Sequence, residues 1–153
     1  MTLELAVVTG GGAGLGRIIV GRLAGQGAHV VIADRDREAG SVVADEVQQT
    51  GGRATFVQTD MSEEKEVRQL IQRVAGLGPL ASWLTTRAGG YPDHSSPTPR
   101  SRSLDLNLGM PMPATQLALP LLGHGGIVVN ISSSGGWDSG RYGPPEYGGP
   151  RPA

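Results

Sequence analysis

The chain has 153 residues, a length that suits a single domain with room for a sizeable core. Its 13 basic and 14 acidic side chains leave a formal charge of -1 with no basic cluster, so neither nucleic acid nor an anionic membrane is expected as a partner. It has no cysteine, hence no disulfide, thiolate nucleophile or Cys-ligated metal, and with no apolar run of membrane-spanning length and no signal-like start, a soluble cytoplasmic protein is expected. Leu5–Thr9 is a short apolar run halted by Gly10, Gly11 and Gly12. Such a run suits a strand buried on both faces of a parallel sheet. Leu15, Ile18, Ile19 and Leu23 then recur at helical spacing, predicting a helix that ends at Gly25 and Gly27. Residues 28–33 read as a second buried strand closed by Asp34. Ala39, Val42, Val43 and Val47 mark a second helix, ended by Gly51 and Gly52, and residues 54–57 a third strand. Ser62, followed by Glu63, Glu64 and Lys65, reads as an N-cap with an acidic first turn. Val67, Leu70, Ile71 and Val74 form the buried stripe of that third helix. Strand and helix alternate through short loops, which predicts right-handed crossovers and an α/β fold, a Rossmann-like doubly wound parallel sheet.

Beyond this point the pattern is less regular. Leu80–Thr85 can form a fourth strand, although Trp83, Thr85 and Thr86 suit one poorly. Residues 91–103 have no periodicity and read as loop or disorder. Residues 104–122 predict a helix interrupted by Pro111 and Pro113. Residues 127–131 are a convincing buried strand. Residues 134–153 hold six Gly and four Pro, a composition that no helix or strand interior tolerates. The expectation is therefore one domain over residues 1–153, truncated after its fifth strand, with residues 91–103 and 134–153 irregular.

The glycine run carries the first functional signal. Thr9, Gly10, Gly14, Leu15 and Gly16 form T-G-x-x-x-G-x-G between a strand and a helix. Glycine there lets the backbone turn tightly and approach a ligand, and the helix start offers free N–H groups to a pyrophosphate. The alternative is a glycine-rich turn without a ligand, which the flanking strand and helix disfavour. Asp34, at the end of the second strand, can accept both ribose hydroxyls of an adenosine and would repel a 2′-phosphate. That favours NAD over NADP, a preference that Arg35 can soften, and an ordinary turn aspartate is the competing reading. Asp60 and Met61 end the third strand, where an adenine ring would lie, and Asp60 reads equally as a helix-capping residue. His29, His94 and His124 have no ligand spacing, so no metal site is expected.

Taken together, these residues resemble the short-chain dehydrogenase/reductase family, and the resemblance runs along nearly the whole chain. Residues 104–122 look like the family's central helix, with Asn107 in the place of its active-site Asn. Residues 127–133 look like the strand leading to the catalytic Ser, which falls on Ser133. Pro145, Glu146, Tyr147 and Gly148 look like the approach to the Y-x-x-x-K motif, which places the general acid/base on Tyr147. The resemblance implies hydride transfer between a nicotinamide cofactor and a small alcohol or carbonyl substrate. It implies that Tyr147 exchanges the proton, that Ser133 holds the substrate oxygen, and that Asn107 anchors a water in the proton relay. An unperturbed Tyr is a poor base at neutral pH and needs a nearby cation. The family supplies that cation as Lys, whose position here is Arg151. The resemblance also implies a homo-oligomer, although the family's interface helix follows Tyr147 and is missing.

Three departures stand out. Thr86-Arg87-Ala88-Gly89 occupies the place of the family's Asn-Asn-Ala-Gly, whose Ala88 and Gly89 would line the cofactor. Arg151 replaces Lys. The chain stops at Ala153, whereas the family runs to about 250 residues. The first two read as frame slips. Deleting one base from a possible coding of Leu-Asp-Val-Leu-Val-Asn-Asn-Ala-Gly-Gly yields residues 80–89. The same operation on Tyr-Gly-Ala-Ala-Lys-Ala-Gly yields residues 147–153. Ordinary divergence is the alternative, and it should have preserved strand and helix patterning. Without the family's last third the fifth strand is expected to be an exposed edge, and the 153-residue chain to be marginal or aggregation-prone and inactive. The alternative readings are a catalytically dead dinucleotide-binding remnant or a pseudogene product.

Overall fold

A computed structural model of the chain describes residues 4–86, 109 and 111–131. Residues 91–103 and 134–153, and the start of the helix expected from residue 104, lie outside them. Within the described residues the elements alternate as expected. They are β1 (Leu5–Thr9), α1 (Gly14–Gly25), β2 (His29–Asp34), α2 (Arg37–Gln49), β3 (Arg53–Gln58), α3 (Glu64–Ala75), β4 (Leu80–Thr85), α4 (Pro111–Ala118) and β5 (Leu122–Asn130). The five strands form one sheet in the order β3-β2-β1-β4-β5. Every pairing is parallel, from Leu5 opposite His29 to Thr85 opposite Asn130. This is a doubly wound, Rossmann-like sheet. Its order reverses between β1 and β4, so a crevice opens beyond the carboxyl ends of those two strands.

Period-two alternation divides the apolar strand residues between two cores. On one face Val8, Val30, Ile32 and Ala54 pack with Val20 and Ala24 of α1 and Val43, Ala44 and Val47 of α2. On the other, Val7, Val31, Leu80 and Trp83 pack with Val67, Leu70 and Val74 of α3 and with Ala114 and Ala118 of α4. Helices on both faces explain why the strands are apolar runs.

Several expectations at the element level need correction. α1 buries Gly16, Val20 and Ala24, while Leu15 and Ile18 are 53% and 69% exposed. Small residues at i, i+4 and i+8 let the helix approach the sheet closely, so the largest apolar side chains fall outside the contact stripe. Val42 of α2 is likewise exposed, its place in the stripe being held by Gly40. The residue preceding α3 is Glu63, which makes no side-chain cap. Ser62 instead donates through its N–H and its hydroxyl to Asp60 Oδ1, at 2.9 and 2.6 Å.

The fourth strand forms in spite of its composition, with a register irregularity between Leu80 and Ser82 in its pairing with each neighbour. Trp83 is fully buried, and its Nε1–H donates to Thr85 Oγ1 at 3.1 Å, so the polar edge of the indole is satisfied inside the core. The two prolines fall in the first turn of α4, where the missing N–H groups would have had no intrahelical partner. That helix ends at Ala118 and passes through a 3-10 turn, Leu119–Leu121, into β5. β5 starts at Leu122, five residues ahead of the expected run, and a register irregularity separates its Leu122 pairing from that of Ile127. Ile127, Val129 and Ile131 are exposed, whereas Val128 packs into the core shared with α3 and α4.

Candidate functional site

Thr9, Gly10, Gly14, Leu15, Gly16 and Asp34 come together at the carboxyl end of β1 and β2. The chain leaves β1 through Gly10, whose φ of 67° lies in the left-handed region, and enters α1 at Gly14, with φ 52°. Gly10 N–H donates to Ala33 O at 2.7 Å, binding the loop to the end of β2. Gly16 passes directly beneath the loop, so that a Cβ there would fall on the Gly10 carbonyl. A Cβ at Gly11 would lie 2.9 Å from Ile32 Cγ2 and 3.2 Å from Val20 Cγ2. The loop is thus drawn onto the sheet by the absence of side chains. Gly14 has nothing within 4 Å of a Cβ position, and Leu15 is exposed, so the α1 entrance is open.

Asp34 stands beside this loop. Its Oδ2 accepts from Gly12 N–H at 2.9 Å and its Oδ1 from Asp36 N–H at 3.0 Å. Asp36 in turn caps α2, its Oδ1 accepting from Ala39 N–H at 3.0 Å. Each carboxylate oxygen has two lone-pair sites, so among the described residues one on each remains for a further donor. The end of β3 is tied in by Thr59 N–H, which donates to Asp34 O at 2.9 Å. Asp60 follows, its N–H held by Glu66 Oε2 at 2.6 Å and its carboxylate by Ser62. The Met61 side chain is buried in the α3 core.

Sequence reasoning missed two participants. Gly12 was hidden in a run of three glycines, with nothing in the pattern to separate it from its neighbours. Thr86, read as a departure from family pattern, has a structural role. Its hydroxyl donates to Thr9 O at 2.6 Å, and its N–H reaches the same carbonyl at 3.4 Å. This holds the ends of β1 and β4 together at the mouth of the crevice. Thr9 Oγ1 is buried without a hydrogen-bond partner among the described residues. Ala88, Gly89, Asn107, Ser133, Tyr147 and Arg151 lie outside the described residues.

The loop fits a dinucleotide: it is rich in glycine, sits at a helix start, and has a fixed carboxylate next to it. Among the described residues, no group of three His, Cys, Asp or Glu could hold a metal ion, and no helix is long and apolar enough to cross a membrane.

Comparison with known proteins agrees with this architecture. The family model for short chain dehydrogenases matches residues 4–149. The 7alpha-hydroxysteroid dehydrogenase of Escherichia coli K12 is 36% identical over 90 residues, covering 58% of this chain and 35% of the relative. An uncharacterized oxidoreductase of Mycobacterium tuberculosis is 34% identical over 140 residues, covering 87% of this chain and 53% of its own length. A solved 7 alpha-hydroxysteroid dehydrogenase, in complex with NADH and 7-oxo glycochenodeoxycholic acid, superimposes with a TM-score of 0.80 at 30% identity. That superposition covers 88% of this chain and 55% of the solved one. The chain belongs to the short-chain dehydrogenase family. It spans between about a fifth and about three fifths of the length of the relatives it matches.

Proposed function

We propose that this chain is the dinucleotide-binding part of a short-chain dehydrogenase and that it binds NAD in preference to NADP. The observation that carries the reading is the Asp34 carboxylate, held by backbone N–H groups on both oxygens beside the Gly10 to Gly16 loop. The loop and the start of α1 would hold the pyrophosphate. Asp34 would accept from the adenosine ribose hydroxyls and repel a 2′-phosphate. The solved relative that contains NADH supports the same class of cofactor here. The bound nicotinamide supplies the acceptor or donor of hydride.

For the whole protein, family membership supports oxidoreduction of a small alcohol or carbonyl compound. In that reading Tyr147 gives or takes the proton at the substrate oxygen, Ser133 hydrogen-bonds that oxygen, and Asn107 anchors a water in the relay. Arg151 stands where the family's Lys lowers the Tyr pKa. A guanidinium differs from an ammonium in shape and reach, so the 153-residue chain is expected to bind cofactor with little or no turnover.

Fluorescence titration tests the cofactor assignment. The wild-type chain should saturate with NADH and bind NADPH more weakly. Asp34→Ala should reduce that discrimination by about tenfold, the worth of one charge-assisted hydrogen bond. Absence of a saturable NADH signal from folded wild-type chain overturns the assignment.

A further inference from the structure

Three consecutive glycines link β1 to α1, and the structure gives each a different task. Gly10 needs its positive φ, and Gly11 leaves room for Ile32 and Val20 in the core. Gly12 does neither. A Cβ on Gly12 would lie 2.9 Å from Asp34 Oδ2, 3.1 Å from Gly40 N and 3.2 Å from Ala39 Cβ. The same residue donates its N–H to Asp34 Oδ2 at 2.9 Å.

We propose that Gly12 is the positioning residue for ribose selectivity: its N–H aims the Asp34 carboxylate, and its missing side chain leaves that carboxylate its place. The inference rests on the dinucleotide reading and deepens it. Without the Gly12 donor, Asp34 is held through Asp36 N–H alone and its carboxyl group can rotate about χ2. A methyl group at residue 12 presses on three neighbours. The carboxylate is the nearest and, as the end of a side chain, the softest; the other two belong to the first turn of α2, whose backbone is tied to Asp36. The strain is therefore relieved by turning Asp34 away from the ribose position. A pyrophosphate over the α1 entrance is unaffected, since Gly14 and Leu15 make no part of this contact.

The test compares NADH and NADPH binding to the full chain and its variants by fluorescence titration. Gly12→Ala should lose about tenfold in NADH-over-NADPH discrimination, the same loss as Asp34→Ala, and the double variant should lose no more. Gly11→Ala, which crowds Ile32, Val20 and the Val8 carbonyl but not Asp34, should weaken both ligands alike and leave their ratio unchanged. A Gly12→Ala protein that weakens both ligands equally overturns the proposal while leaving the dinucleotide reading intact. Wild-type chain that binds neither ligand overturns both. If Gly12→Ala does not fold, the amide resonance of Gly12 decides. It should move when Asp34 is replaced by Ala in otherwise native protein, and an unmoved resonance overturns the proposal.

Discussion

At the residue scale, hydrogen bonds and missing Cβ atoms shape the glycine loop and the strand end beside it. The Asp34 carboxylate is held by the Gly12 and Asp36 N–H groups, and the glycine loop closes only because Gly16 has no side chain. His29 shows the same dependence on surroundings at the other end of β2. Its Nε2 lies 2.8 Å from Thr55 Oγ1 on the neighbouring strand. Burial, and secondarily the Arg53 guanidinium, lowers its pKa below the ordinary imidazole value. The unfolded chain therefore binds this proton more readily than the folded one. Folding stability from this group is present above the ordinary imidazole pKa and declines as pH falls through that value toward the lowered one. Denaturant midpoints measured between about pH 5 and 8, the range of imidazole titration, should rise with pH, and His29→Gln should flatten that slope. An unchanged slope in His29→Gln would remove His29 as its source.

At the element scale, small residues decide how helices sit on the sheet. α1 approaches through Gly16, Val20 and Ala24, and α2 through Gly40, Val43, Ala44 and Val47. Gly40 makes a close contact of this kind, since a Cβ there would fall on the Phe56 ring of β3. Gly→Ala in an exposed helix stabilises by up to about 1 kcal/mol. Here the overpacking should outweigh that gain, and Gly40→Ala should destabilise by about 1–3 kcal/mol in urea denaturation. Stabilisation by the substitution would mean that Phe56 turns aside freely. The Arg17–Glu46 ion pair, which joins α1 to α2 at 2.5 Å, is half exposed and adds little. The seating of these helices is thus a matter of close approach between small side chains and strand, and polar surface pairs follow from it.

At the scale of the whole molecule, two cores on either side of one parallel sheet hold the site open at the reversal of strand order. Trp83 lies in the middle of β4, fully buried against α3 and α4, and links the β1 half of the sheet to β5. Trp83→Ala should destabilise by about 3–5 kcal/mol, through lost burial and the cavity left behind. Thermal unfolding followed by circular dichroism would read this, and a change under about 1 kcal/mol would mean that α3 and α4 collapse into the gap. β5 is the edge strand of the described sheet, and Ile127 and Val129 on its outer face have no described helix over them. The corresponding residues of β1 and β2 are covered by α1 and α2.

The order of elements, the parallel sheet and the position of the glycine loop were legible in the sequence. Apolar runs, helical spacing and glycine stops are local signals, and each reports a backbone preference that the fold keeps. The Thr9–Gly10–Gly14–Gly16 spacing and the strand-end Asp34 belong to this class. What local pattern could not reveal was which partner each residue meets. Leu15 and Ile18 looked like core because they are large and apolar, yet the sheet selected the small stripe that allows close approach. Trp83 and Thr85 looked wrong for a strand until packing placed the indole in a core and gave its N–H a partner. The roles of Gly12 against Asp34 and of Thr86 against Thr9 join residues far apart in the chain. Periodicity determined the elements because it is a property of neighbouring residues. Only the tertiary structure decided which strand ends, loop and helix start converge, because that convergence depends on contacts between segments distant in sequence.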